Sequence, residues 1–150
     1  MKIKKIINSD KSLVEQCDKL FIHFLESESK YDDNYLERKD IKSFLDDLDD
    51  KNNILYSAIE DGKVVGFLFG YIKKLKAEIN PVAHLCFLYV DPKYRNKKIA
   101  TNMINAFLQE IKLMDIKNID VKVYFNNEKA LNLYKKLGFD PFLENLRKKI

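Results

Sequence analysis

The run Val82-Ala-His-Leu-Cys-Phe-Leu-Tyr-Val90 is apolar on both of its alternating faces, with Leu85, Phe87 and Tyr89 on one and Cys86, Leu88 and Val90 on the other. A strand with one face in water would alternate apolar with polar residues, and a membrane helix would need roughly 20 apolar residues. The run therefore predicts a central strand covered on both sides. A chain built around such a strand must place helices on both faces of a sheet. Asp91-Pro92 ends the strand, since proline cannot donate to a ladder.

The rest of the chain supplies the expected layers. Lys2 to Ile7 alternates as a first strand, and Leu13, Cys17, Leu20, Phe21, Phe24 and Leu25 recur at helical spacing over about Ser12 to Leu25. A second helix is expected from near Asp40, with Ile41, Phe44, Leu45 and Leu48, after a polar loop SESKYDDNYLER. Ile54–Glu60 and Lys63–Lys73 are β-branched and aromatic runs separated by Asp61-Gly62, a pair suited to a type I′ hairpin. From Ile99, Met103, Ile104, Phe107, Leu108, Ile111 and Met114 mark a long helix. Ile119–Phe125 predicts a further strand. Asn126-Asn127 would supply the cap of a helix carrying Ala130, Leu131, Tyr134 and Leu137, with Gly138 ending it. Phe139–Ile150 predicts a closing strand or strand pair. The order β-α-α-β-β-β-α-β-α-β gives an α/β (mixed α+β) chain with a mixed sheet.

At 150 residues the whole chain, residues 1–150, is expected to form a single domain. Two cysteines, Cys17 and Cys86, provide neither a disulfide framework nor a zinc site and predict buried small apolar residues. The start, MKIKKII, is too short for a signal peptide, so a cytoplasmic, non-membrane protein is expected. A net charge of +4 is too modest to imply nucleic-acid binding, but its distribution is uneven. Residues 26–50 hold ten acidic residues against four basic ones. Such a segment is either a solvated surface or a lobe that attracts a cation. At the other extreme, Lys93, Arg95, Lys97 and Lys98 crowd the approach to the long helix, whose amino-terminal N–H groups favour phosphate.

Two stretches carry a resemblance. Leu88-Tyr-Val-Asp-Pro-Lys-Tyr-Arg-Asn-Lys-Lys-Ile-Ala-Thr101 resembles the acyl-CoA-binding signature of the GNAT N-acetyltransferase superfamily, with Arg95 at its first loop position and Ala100 at its last. Asn127-Glu-Lys-Ala-Leu-Asn-Leu-Tyr134, followed by Gly138-Phe139, is similar to the family's second signature. The element order matches throughout. One departure is Lys98, which stands where the family usually has a glycine; an ordinary helical conformation with the side chain pointing outward is the expected accommodation.

The resemblance implies a mostly antiparallel sheet of six to seven strands, splayed between the fourth and fifth, with about four flanking helices. It implies acetyl-CoA as co-substrate and no metal. Backbone groups at Leu88, Tyr89 and Val90 would hold the pantetheine arm. Residues Arg95, Asn96, Lys97, Lys98, Ile99, Ala100 and Thr101 would take the pyrophosphate, and Asn127 would bond the arm or the adjacent helix turn. Tyr134 would protonate the departing thiolate, a task suited to a phenol with a reference pKa near 10. His84 stands about where relatives carry a base, with Glu60, Glu78 and water as competitors. Glu28, Tyr31, Asp32 and Asp33, with Glu26 and Tyr35 nearby, offer carboxylates and aromatic faces to a cationic amine. The implied activity is N-acetylation of a primary amine, on a small cationic molecule or on a peptide, by a monomer or homodimer. A non-catalytic acyl-CoA sensor on the same fold is the alternative.

Overall fold

The Asp61-Gly62 turn has φ angles of 50° and 74°, as a tight primed hairpin requires, and it joins the two strands at the middle of the molecule. The computed structural model describes residues 1–35 and 40–150. Its sheet has the order β1-β2-β3-β4-β5, with β1 Lys2–Ile6, β2 Asn53–Glu60, β3 Lys63–Lys73, β4 Val82–Val90 and β5 Ile119–Val121. The first four strands are antiparallel to their neighbours, and β5 runs parallel to β4. Helices α1 (Lys11–Glu28), α2 (Phe44–Asp47), α3 (Ile99–Leu113) and α4 (Glu128–Lys136) flank it.

The sheet has five strands among the described residues, where six to seven were expected. The expected strand at Phe139–Ile150 is absent: beyond the α4 terminus the segment has no regular structure, Phe139 packs half-buried on the core, and Phe142, Leu143, Leu146 and Ile150 lie in solvent. β5 stops at Val121 rather than Phe125, and α2 is a single turn beginning at Phe44. Residues 36–39 of the expected polar loop lie outside the described residues.

Each face of the sheet carries its own core. Under α1 and α2, Phe21, Phe24, Phe44, Phe67, Phe69 and Phe87 form an aromatic cluster with ring centroids 4.7–6.4 Å apart. Asp18 on α1 ties α2 in place, accepting from Ser43 Oγ at 2.6 Å and Phe44 N at 2.9 Å. Gln16 Oε1 accepts from Val64 N at 3.0 Å, which fastens the β2–β3 hairpin to the same helix. On the opposite face Met103, Ile104, Phe107 and Ile111 of α3 pack on Val65, Leu68, Ala83 and Leu85. Cys17 is fully buried as expected, whereas Cys86 is exposed. No helix among the described residues is long and apolar enough to cross a membrane.

The close approach of α3 depends on Gly70. A Cβ there would lie 2.6 Å from Phe107 Cζ and 2.7 Å from the His84 carbonyl oxygen. One of these neighbours is backbone and the other is a fully buried ring, so neither can yield easily. Gly70→Ala should therefore destabilise the fold by about 1–3 kcal/mol, the usual cost of overpacking. Urea denaturation should show a lower midpoint with an unchanged slope.

Candidate active site

The site begins where two strands part. β4 and β5 pair only at Ala83–Ile119, His84–Asp120 and Leu85–Val121, and β4 then continues for five residues without a strand on that side. The partner register on the other side shifts at the same place. Phe69 faces Phe87 and Gly70 faces Leu85, so Cys86 has no counterpart in β3. A bulge of this kind bends and twists its strand. It leaves Cys86 exposed and the β5-facing edge of Leu88, Tyr89 and Val90 without a strand partner.

At the end of β4 a short turn orders the basic segment. Asp91 Oδ1 accepts from Lys93 N at 3.0 Å, and Pro92–Tyr94 form one turn of 3-10 helix. Arg95 folds back, donating from Nε to the Val90 carbonyl at 2.9 Å, with its guanidinium 5.5 Å from the Tyr89 ring centre. Lys97 Nζ lies 5.4 Å from the Tyr94 ring centre. Asn96 and Lys98 are left-handed, at φ 63° and 60°. The Lys98 side chain gives α3 no cap, and the first intrahelical donor is Asn102, to the Lys98 carbonyl at 2.9 Å. The amides of Ile99, Ala100 and Thr101 therefore precede the helical ladder beside four cationic side chains. Uncapped amides and cations at the end of an open strand edge fit an extended ligand with phosphates at one end.

Lys98 departs from its sequence expectation. It is not helical but adopts the left-handed conformation that a glycine would take, with its side chain in solvent. The backbone geometry of the loop survives because only the side chain's steric cost has changed. Left-handed geometry costs an L-residue roughly 1–2 kcal/mol, and glycine's extra backbone entropy offsets part of the gain from removing the side chain. Lys98→Gly should melt at or slightly above the parent temperature. Lys98→Val, β-branched at a positive φ, should lose about 1–2 kcal/mol. Thermal melts of the two variants check the order.

Asn127 caps α4, its Oδ1 accepting from Ala130 N at 3.2 Å, and Gly138 closes the helix at φ 91°. This fixes Tyr134, which is buried in the same core as Leu85 and Val90 with its ring edge-on to Phe139 at 5.5 Å. Burial pushes the Tyr134 phenol above its ordinary range, and the nearby charge of Glu28 pushes it further. Glu28, the last residue of α1, is half-buried, and desolvation raises its carboxyl against the opposing pull of Lys30. Sequence reading placed Glu28 among acceptor contacts; the structure adds its electrostatic coupling to Tyr134. His84 lies in the still-paired part of β4 opposite Asp120, with its ring stacked on Tyr71 at 4.8 Å.

The acidic lobe is partly neutralised from within. Asp32 Oδ1 lies 2.8 Å from Arg147, and Asp33 Oδ2 lies 3.5 Å from Lys149. The Asn34 amide, then Arg147, hold the Asp32 carboxyl below its ordinary range. Tyr31 stacks on Tyr124 at 5.1 Å, and the Tyr35 and Tyr124 hydroxyls meet at 2.9 Å. Tyr124 also donates to Asp32 at 3.4 Å. Sequence reading took Tyr124 only as part of the Ile119–Phe125 strand; the structure places it three residues past the end of β5. An open hollow of roughly 350 Å³ lies among Tyr31, Asp32, Asp33, Arg147 and Lys149. No cluster of three or more histidine, cysteine or carboxylate groups suited to a metal occurs among the described residues.

Known proteins share this architecture. An N-alpha-acetyltransferase of Sulfurisphaera tokodaii is 29% identical over 104 residues, 64% of this chain and 62% of that protein's length. The chain thus spans less than two thirds of that relative. The solved F44R mutant of the BH1408 protein from Bacillus halodurans superposes with a TM-score of 0.83 at 16% identity, covering 100% of this chain and 99% of the other. An aminoglycoside N-acetyltransferase, AAC(6')-Iy, solved in complex with CoA, superposes with a TM-score of 0.77 at 17% identity over 99% of this chain and 93% of its own. With residues 17–139 matching the Acetyltransferase (GNAT) family and the parted strands, phosphate-ready loop and buried tyrosine all present, the chain belongs to that family of acetyltransferases.

Proposed function

We propose that residues 1–150 form one catalytic domain that transfers an acetyl group from acetyl-CoA to a primary amine. The observation that carries the reading is Tyr134, a buried phenol kept protonated beside a strand edge that has lost its partner. Acetyl-CoA supplies the acetyl group as a thioester. The chain's residues then have separate tasks. The amides of Ile99, Ala100 and Thr101, with Arg95, Asn96, Lys97 and Lys98, hold the pyrophosphate. The open edge at Leu88, Tyr89 and Val90 orients the pantetheine arm and offers an N–H to the acyl oxygen as charge develops there. Asn127 acts by fixing α4 and with it Tyr134. Tyr134 gives its proton to the sulfur as the C–S bond breaks and the new C–N bond forms.

The amine must reach the carbonyl uncharged, and Glu28 is the better placed base. A carboxyl raised by burial accepts a proton nearer neutral pH than an exposed one. His84, stacked on Tyr71 within the paired strands, is assigned to acceptor-side packing instead. Because Asp32 and Asp33 already have cationic partners and Lys30 Nζ lies 4.9 Å from the Tyr31 ring centre, we assign the main attraction for a cationic amine to Glu28 and the Tyr35 ring. A small cationic acceptor follows from this lining. A peptide amino terminus is the second reading, favoured by the name of the Sulfurisphaera relative.

Release of free thiol from acetyl-CoA across a panel of cationic amines and peptides tests the proposal. Tyr134→Phe keeps the ring and removes the hydroxyl, and turnover should fall on the order of 10²-fold with little change in melting temperature. Binding of CoA without thiol release from any amine would instead indicate a sensor module.

Glu28 gives a prediction in which activity and stability move in opposite directions. Its folded-state pKa is raised, so its contribution to stability is fully present below the unfolded value of about 4.3 and is lost as pH rises through the folded value. Glu28→Gln should therefore melt higher than the parent at neutral pH, and this advantage should vanish near pH 4. The same variant should lose turnover and the acid limb of the kcat/KM profile. A variant that gained stability but kept its activity would return Glu28 to the acceptor surface.

A further inference from the structure

The segment after α4 reaches the acidic lobe beyond the end of α1, although apolar burial does not hold it there. Every residue from Asp140 to Ile150 is exposed, and Phe142, Leu143 and Leu146 are 84–88% exposed. Charge brings the segment in. Arg147 lies 2.8 Å from Asp32 and Lys149 lies 3.5 Å from Asp33, on the walls of the hollow of roughly 350 Å³. With Arg147 in place the Asp32 side chain is 11% exposed, whereas Lys149 and Asp33 are both open to water. Asp32 is also tied to the acceptor lining, since Tyr124 donates to it at 3.4 Å and meets the Tyr35 hydroxyl at 2.9 Å. Burial, the Tyr124 hydroxyl, and then the charges of Glu28 and Asp32 raise the Tyr35 phenol, so both carboxylates act on one group.

We propose that residues 140–150 are an internal competitor for the acceptor side, with Arg147 and Lys149 resting on Asp32 and Asp33 until a ligand bearing two or more positive charges displaces them. This inference rests on the acceptor reading given above and narrows the acceptor class. Exposed ion pairs are weak, because water and salt screen them, so the segment exchanges readily. A ligand shifts such an equilibrium only as far as it binds the released state better than the occupied one. A monocation is served by Glu28 and the Tyr35 ring and makes no use of Asp32 or Asp33, so the segment stays. A polycation engages Glu28 and takes over the vacated carboxylates as well. Asp32 gives the larger share of that gain, since a carboxylate so covered is costly to leave without a cation.

Arg147→Gln combined with Lys149→Gln empties the lobe and leaves the core alone, since both side chains are exposed. Calorimetric titration of the full chain with cadaverine, a dication, should show the double variant binding about three- to tenfold tighter than the parent at about 20 mM salt. The gap should close at about 0.5 M salt, where the Debye length is about 4 Å. Pentylamine, the matching monocation, should bind both proteins within about twofold. Lys11→Gln with Lys63→Gln removes the same charge near the far end of α1, a helix about 27 Å long, and should leave cadaverine affinity within about twofold of the parent. In the parent, the Arg147 side-chain N–H resonance should move toward that of free arginine as cadaverine is added. Equal cadaverine affinity in parent and double variant, or binding to neither, overturns the proposal. So does an equal gain for pentylamine or in the charge control, or an Arg147 resonance already free without ligand. Thiol release separates this from the acetyl-transfer reading. If cadaverine displaces the segment but no amine releases thiol from acetyl-CoA, the competitor stands and the transferase falls. If amines are turned over but cadaverine binds both proteins alike, the transferase stands and the competitor falls.

Discussion

The separation of β4 from β5 after three residue pairs is the constraint on which the rest of the site depends. Two parallel strands that stayed paired to their ends would satisfy every amide on both edges and leave nothing for a ligand to bind. The bulge that skips Cys86 comes at the last pair, so the strand bends where the ladder ends. Its left edge stays fixed to β3, as Phe67 with Tyr89 and Gly66 with Val90 show. The open edge is thus rigid although it is unpaired. Burial of Ala83, Leu85 and Val90 against α3 supplies that rigidity, and the Gly70 contact with Phe107 allows the helix close enough to provide it.

Much of this was legible in the chain itself. β4 appeared with its observed bounds because Asp91-Pro92 stops it and both faces are apolar, and α3 began at Ile99 because its apolar stripe does. The hairpin at Asp61-Gly62 was equally clear, since few residue pairs tolerate two positive φ angles. The misreadings share a cause. Ile119–Phe125 reads as a seven-residue strand, but a strand lasts only as long as its neighbour stays alongside, and β4 turns away at Leu85. Phe139–Ile150 has strand-like residues and no strand beside it among the described residues. Periodicity records which side chains want burial, not which partner provides it.

The candidate site shows the same division. Asn127, Tyr134 and the Arg95–Thr101 loop are local motifs, and the structure places them in a cap, a buried helix face and an uncapped helix start. The coupling of Glu28 to Tyr134 joins residues more than a hundred positions apart and follows only from how α1 and α4 meet the sheet. The pairing of Asp32 and Asp33 with Arg147 and Lys149 is likewise non-local, and it changes the meaning of the acidic segment. Counting charges along the chain finds a lobe of one sign. Placing them in space finds Asp32 and Asp33 already paired with cations, and Glu28 within electrostatic reach of the tyrosine.

The bond from Arg95 Nε to the Val90 carbonyl has a consequence for what that position can accept. It spends the donor nearest the backbone on holding the loop and leaves the two terminal nitrogens for anions, a division that needs a planar, forked group. Lysine would keep the charge and lose the tether, because a single ammonium cannot grip a carbonyl on one side and a ligand on the other across that span. Position 95 is therefore governed by shape before charge. Any homologue in which it is replaced must fasten the turn to the strand by some other covalent or hydrogen-bonded means.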